Sequence, residues 1–137
     1  MSEAAEDVPG DERDDLDDIN DEGEPQYPTV DEWVEQVYVT TFIRWESDSV
    51  RWCPKWWAHP EAVVRLRALW QTWELADADT GLAGMANWLR DYLDPLRVGL
   101  HDPAGPFSGC SSRRHAEQTP MATEPAPPGA WGLPVQT

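Results

Sequence analysis

Trp52-Cys53-Pro54-Lys55-Trp56-Trp57-Ala58-His59-Pro60-Glu61-Ala62 decides how this chain is read, because three indoles, a thiol, an imidazole and two prolines fall within eleven positions. No regular element accommodates such a run. It predicts an aromatic corner that feeds a helix, with Pro60 at the first helical position, where its missing N–H costs nothing, and Glu61 in the first turn, where the macrodipole favours an anion. Downstream, Val63, Leu66, Leu69, Trp70 and Trp73 recur at helical spacing while Arg65, Arg67, Gln71 and Glu74 take the other face, so the helix is expected to reach about Ala76.

Working outward, Thr29 with Glu32 three residues later is a capping-box signature. The set Val30, Trp33, Val34, Val37, Tyr38, Thr41, Phe42 and Trp45 follows the i, i+3, i+4, i+7 rule, which predicts a helix over residues 30 to 46, although the β-branched cluster Val37, Val39, Thr40, Thr41 and Ile43 pulls toward strand. On the far side, Asp77 to Gly84 reads as a polar connection. Met85, Trp88, Leu89, Tyr92 and Leu93 then begin a third amphipathic stretch, which Asp94-Pro95 should end before a short turn over Leu96 to Leu100. From His101 to Cys110 the prolines and glycines exclude regular structure, and Phe107 is expected to pack back on the core. The fold class is therefore all-α: a small three- to four-helix domain with long Trp-rich and Pro/Gly-rich loops.

Composition sets the limits of that domain. The chain has 137 residues and a net charge of -16, but residues 1 to 24 alone hold twelve acidic side chains against Arg13. With no aromatic residue there, residues 1–26 are expected to be an acidic disordered tail, whose ordinary role is solvation and whose sharper alternatives are nucleic-acid mimicry or an intramolecular brake on a basic face. Residues 116–137, rich in proline and small residues, are expected to be a second disordered tail, with Trp131 either a docking anchor or an unused indole. Residues 27–115 form the expected domain. Eight of the nine tryptophans lie between Trp33 and Trp88, so a small core can be assembled from few, large pieces. No apolar run is long enough for a membrane span and the N-terminus lacks the pattern of a signal peptide, which predicts a cytoplasmic protein with reduced cysteines.

Only one set of side chains carries recognisable chemistry. Cys53, His59, His101 and Cys110 supply two thiolates and two imidazoles, a complete tetrahedral zinc set, and a structural zinc would explain how a small domain fixes two irregular loops. Their spacing is looser than the paired ligands of strong zinc signatures. Plain burial of the cysteines among indoles, His59 acting as a helix cap, and a Cys53–Cys110 disulfide are the alternatives. Catalytic signatures are missing: there is no G-x-S-x-G elbow, no H-E-x-x-H and no phosphate-cradling glycine loop, and Asp91 with Asp94 suits capping. A non-enzymatic protein is expected.

Four motifs together resemble a known family. They are Trp52-Cys53-Pro54-x-Trp56-Trp57-x-His59-Pro60-Glu61-Ala62, Arg65-Leu66-x-Ala68-Leu69-Trp70-x-x-Trp73-Glu74, Trp88-Leu89-Arg90-Asp91-Tyr92-Leu93-Asp94-Pro95 and Asp102-Pro103-x-Gly105-Pro106-Phe107-x-x-Cys110. The pattern is similar to an actinobacterial domain of unknown function found on phages, plasmids and integrative elements. That resemblance implies a host lineage and a mobile-element setting rather than a reaction.

Two partner classes then compete. Arg44, Arg51, Lys55, Arg65 and Arg67 interleave with Trp45, Trp52, Trp56 and Trp57, the basic and aromatic composition of a nucleic-acid groove. The local charge excess is small for that work, since affinity for nucleic acid scales with the phosphates neutralised. Exposed tryptophan and arginine are also the usual anchors of protein interfaces. The favoured reading is an accessory or adaptor protein of a mobile element, with Arg51, Lys55, Trp56, Trp57, Arg65 and Arg67 as partner-binding residues. A nucleic-acid-binding module, zinc-stabilised and behind an acidic autoinhibitory or DNA-mimicking tail, is the alternative.

Overall fold

The computed structural model describes residues 24–43, 45–78 and 81–132. Helix α1, Val30–Trp33, opens on Thr29, whose hydroxyl accepts from the Glu32 N–H, and runs straight on into a wider π-helical segment, Val34–Phe42. A single 3-10 turn, Trp56–Ala58, precedes the long α2, Pro60–Ala78. Then follow α3, Leu82–Trp88, a π-helical turn, Leu89–Leu93, and α4, Asp94–His101, in one continuous rod. Among the described residues there is no strand beyond two isolated antiparallel bridges, Ser47 to Val50 and Ser111 to Arg114. The domain is all-α, as its periodicity predicts.

Three rods pack around one core. Trp33, Val34 and Tyr38 from the first, Ala62, Leu66, Leu69 and Trp73 from α2, and Trp88, Leu93 and Leu100 from the third are all buried. The ring of Trp33 meets Trp73 at 6.0 Å and Tyr38 at 5.7 Å, tilted contacts that suit the quadrupoles of large rings. Two of the indole donors are satisfied locally, Trp88 Nε1 donating to Thr72 Oγ1 at 2.8 Å and Trp70 Nε1 to the Tyr27 carbonyl at 3.1 Å, whereas the buried Trp33 Nε1 has no hydrogen-bond partner among the described residues. Glu74 completes the pinning of the entering chain, because its carboxylate accepts from the backbone N–H groups of both Gln26 and Tyr27.

Several element ends differ from expectation, among them the start of α3 at Leu82, inside the expected Asp77 to Gly84 connection. The first helix stops at Phe42 rather than residue 46, with Ile43 already extended, and the Arg97 guanidinium donates to the half-buried Phe42 carbonyl at 2.9 Å. The β-branched cluster wins at that point, since Thr40 also bonds back to the Gln36 carbonyl and loosens the spiral. Conversely, Asp94-Pro95 does not end the third helix. The preceding turn widens so that the Asp94 N–H reaches the Leu89 carbonyl five residues back, and a wider turn absorbs a proline ring that would break a regular one. No helix among the described residues is long and apolar enough to cross a membrane. The expected acidic tail falls almost wholly outside the described residues.

Candidate metal centre

The residues beyond the helices are organised around two irregular segments. In the first, Trp52 packs its ring on Phe107 at 5.1 Å and Tyr38 at 6.2 Å, which fixes the position of the next residue, Cys53. The chain then turns through Pro54 and Lys55 into the 3-10 turn, which returns His59 to the same place. His59 is also where α2 begins, since its carbonyl accepts from the Val63 N–H.

The second segment shows what the Asp102-Pro103-x-Gly105-Pro106-Phe107 motif does. Asp102 folds the chain back by accepting from the Ala104 N–H through its side chain and from the Gly105 N–H through its carbonyl. Gly105 lies so close to Gly99 that a Cβ there would meet the Gly99 carbonyl oxygen at 2.6 Å, so only glycine fits. Phe107 is fully buried and stands edge-on to His59 at 5.3 Å. Gly109, with φ +81°, then swings Cys110 inward, and the tight turn closed by Ser111 and Arg114 brings back His115.

Cys53, His59, Cys110 and His115 therefore converge, with one donor atom from each lying within 4.8 Å of all the others. Cys53 Sγ is 3.2 Å from His115 Nδ1 and Cys110 Sγ is 3.6 Å from His59 Nε2. Zinc bonds of about 2.3 Å to sulfur and about 2.0–2.1 Å to nitrogen, arranged tetrahedrally, give sulfur–nitrogen edges of roughly 3.5 Å. The two sulfur–nitrogen distances lie near that edge, and donors that all lie within 4.8 Å of one another need only small inward movements to close on such an ion.

Both imidazoles are oriented from behind. His59 Nδ1 donates to Gln118 Oε1 at 3.1 Å, and Gln118 is itself held because its amide nitrogen donates to the Ser108 carbonyl. His115 Nε2 pairs with Glu117 Oε2 at 3.3 Å. Each ring thereby presents a lone pair to the centre of the cluster, the arrangement that fixes tautomer and raises basicity in metal-bound histidines. The Ala116 N–H donates to Cys110 Sγ at 3.3 Å, and the Lys55 backbone N–H to Cys53. Burial pushes the Cys53 thiol up to about 11, the neighbouring Cys110 adding to the rise and the Lys55 N–H opposing it. A bound cation would have to displace that proton, so affinity should rise with pH.

His101, placed in the ligand set by sequence, is elsewhere. Its Nδ1 donates to the Arg51 carbonyl at 2.8 Å and its Nε2 accepts from the Tyr38 hydroxyl at 2.7 Å, which leaves no lone pair for a metal. His115 takes its place. The pair Cys110-x4-His115 is as compact as Cys53-x5-His59, but His115 is the last residue before the boundary drawn where the composition turns proline-rich. Packing continues through Gln118, three residues past that boundary. Both cysteines are free thiols, so the disulfide alternative does not apply.

The remaining candidate residues scatter. The Arg51 guanidinium donates to the Cys110 and Ser47 carbonyls, tying the two segments together. Arg65 pairs with Glu61 at 2.9 Å, Arg67 and Lys55 are exposed, and Trp56 is buried while Trp57 is 62% exposed. Residues 27–129 match the family described as a domain of unknown function, DUF4913. The chain belongs to that family. No curated protein and no solved structure shows significant similarity to it. The DUF4913 match contains all four clustered residues and Gln118, and it reaches beyond the helices into the proline-rich segment.

Proposed function

We propose that this DUF4913 protein is a non-enzymatic binding module of a phage or other mobile element, its loop half clamped by a structural zinc and its contacts with a partner protein made through exposed tryptophan. The observation that carries the zinc reading is the convergence of Cys53, His59, Cys110 and His115, with Gln118 and Glu117 orienting the two imidazoles. Four protein ligands leave no open coordination position, which is the pattern of a structural rather than a catalytic ion. Cytoplasmic residence, where thiols stay reduced, is consistent with two free cysteines used as ligands. The mobile-element setting rests on the four sequence motifs.

A nucleic-acid partner has weaker support, because Arg51 and Arg65 are engaged within the chain and the domain surface carries an excess of carboxylates. The test is elemental analysis of untagged protein purified without chelator, with nucleic acid and co-purifying protein measured on the same sample. One zinc per chain is expected. Well under one zinc in folded protein would end the zinc reading and leave the four side chains as a hydrogen-bonded cluster.

A further inference from the structure

We infer that the groove between α1 and the Trp56–Ala58 turn receives a basic, partly apolar peptide segment of a partner protein, its cation resting on the Trp57 indole beside the carboxylates of Asp31 and Glu35. The inference deepens the protein-interaction reading above and is independent of zinc. The groove is lined by Val30, Asp31, Glu35, Trp56, Trp57 and Val63.

Neighbouring tryptophans have opposite fates here. Trp56 is 6% exposed and forms the floor with Val30 and Val63, whereas Trp57 leaves 62% of its surface in water at the wall of the same groove. Folding gains little from an indole left that open, while a partner that covers it gains a large, rigid contact area. The rim adds a sign to the shape. Asp31 on α1 and Glu35 on the π-helical segment that continues it sit four residues apart, so both carboxylates lie on one side of the first rod and repel each other. Among the described residues neither has an ion-pair partner. The helix N-terminus accounts for Asp31 in the first turn but not for Glu35, a full turn further on.

A cation over an aromatic face beside carboxylates satisfies all of these groups together, and a guanidinium does so best, since it stacks on the ring while its fork of N–H groups reaches two acceptors. The apolar floor asks for an aliphatic side chain next to that cation. A phosphate backbone would face two carboxylates and is excluded by the same charges. The groove thus selects a basic peptide.

The test uses the full chain, labelled so that each indole N–H gives its own resonance, titrated with a short blocked peptide of alternating leucine and arginine. The acidic N-terminal residues 1 to 24 contain no tryptophan, so peptide attracted there moves no indole signal directly. The Trp57 resonance, assigned by its loss in Trp57→Ala, should move saturably. In the double variant Asp31→Asn with Glu35→Gln the apparent Kd should rise about tenfold and lose most of its salt dependence. Both variants should retain the fold and metal content of the parent, with the double variant melting slightly lower because Asp31 no longer complements the helix N-terminus. A matching peptide of leucine and glutamate should leave the Trp57 signal unmoved. The inference is overturned if no saturable shift occurs, if the glutamate peptide acts equally, if the double variant binds as the parent does, or if a single-stranded oligothymidylate moves Trp57 and the arginine peptide does not. A response confined to other tryptophans would overturn this groove while leaving a protein-interaction role standing.

Discussion

Between Val30 and His101 the helices bury Trp33, Leu66, Leu69, Trp73, Trp88 and Leu93 against one another, whereas residues 47–59 and 102–118 gather two buried sulfurs, the buried His59 imidazole and the half-buried His115 imidazole. The helical part closes its own backbone hydrogen bonds and gains stability roughly in proportion to apolar area removed from water. The loop part has almost no regular hydrogen bonding to draw on. It is tied instead by single polar contacts, such as Arg51 to the Cys110 carbonyl and the Ser112 N–H to Glu46, and by the cluster itself. A core of indoles tolerates some loss anywhere. A four-ligand site does not, because its ligands act as a unit.

That contrast is broken most sharply by comparing Cys110→Ser with Leu66→Ala. Loss of a ligand should release the zinc and lower the melting temperature by on the order of 10–20 °C, and a chelator added to the parent should do the same while having little effect on the variant. Leu66→Ala opens a cavity in the helical core and should cost about 2–5 kcal/mol. Its zinc content should stay at one per chain, and the shift in melting temperature on adding chelator should match the parent's. If the chelator leaves the parent melt unchanged, the two halves are stabilised by the same means and the comparison fails.

The same division explains what the sequence disclosed. Leu66, Leu69, Trp73 and Trp33 announce their burial through helical spacing, because a rod that hides one face must repeat every three to four residues. Cys53, His59 and Cys110 were recognisable from residue type alone. His115 was not, since choosing between His101 and His115 depends on tertiary pairing: the Tyr38 hydroxyl and the Arg51 carbonyl claim both nitrogens of His101, and neither is near it in sequence. Nor could the widened turn before Pro95 be foreseen. Local rules put a helix end there, and packing of Leu93 and Leu100 on the same core overrides them.

A smaller effect sharpens where the loop half ends. Gln118→Ala keeps every ligand yet frees the His59 ring, and zinc affinity should fall by about 10- to 100-fold in a competition titration, the usual loss when a ligand's supporting partner is removed. Truncation after His115, which also removes the Ala116 N–H from Cys110 and Glu117 from His115, should cost more than that, whereas truncation after Met121 should cost nothing. Equal zinc affinity in all three would mean that packing of Phe107 alone orients His59.

Gly109→Ala probes the backbone rather than the ligands. The residue sits at φ +81°, and a Cβ there would also approach the Ala116 Cβ at 3.2 Å. A left-handed conformation costs a non-glycine residue about 1–2 kcal/mol. Stability should drop by that amount, and the loss should be smaller in chelator, where the strained turn no longer has to present Cys110. A chelator-independent cost would assign Gly109 to the general packing of the loop.

The smallest predicted effect lies at the seam between the halves, where His101 joins Tyr38 of the helical part to Arg51 of the loop part. Burial holds the His101 pKa below its ordinary value, the Arg51 carbonyl opposes the shift and the Arg97 charge assists it. The folded protein therefore binds this proton less readily than the unfolded chain, so the contribution is present above about pH 6.5 and is lost as pH falls through the folded pKa. Protonation would also cost Nε2 its bond from the Tyr38 hydroxyl, whose own pKa burial pushes upward, so the pair is built to stay neutral. Between pH 7.5 and pH 5.5 the melting temperature of the parent should fall a few degrees further than that of His101→Gln, a difference of about 1 kcal/mol or less. Any effect of acid on the proposed zinc site is common to both proteins and cancels in the comparison. Parallel melting curves would show that the seam is insensitive to pH.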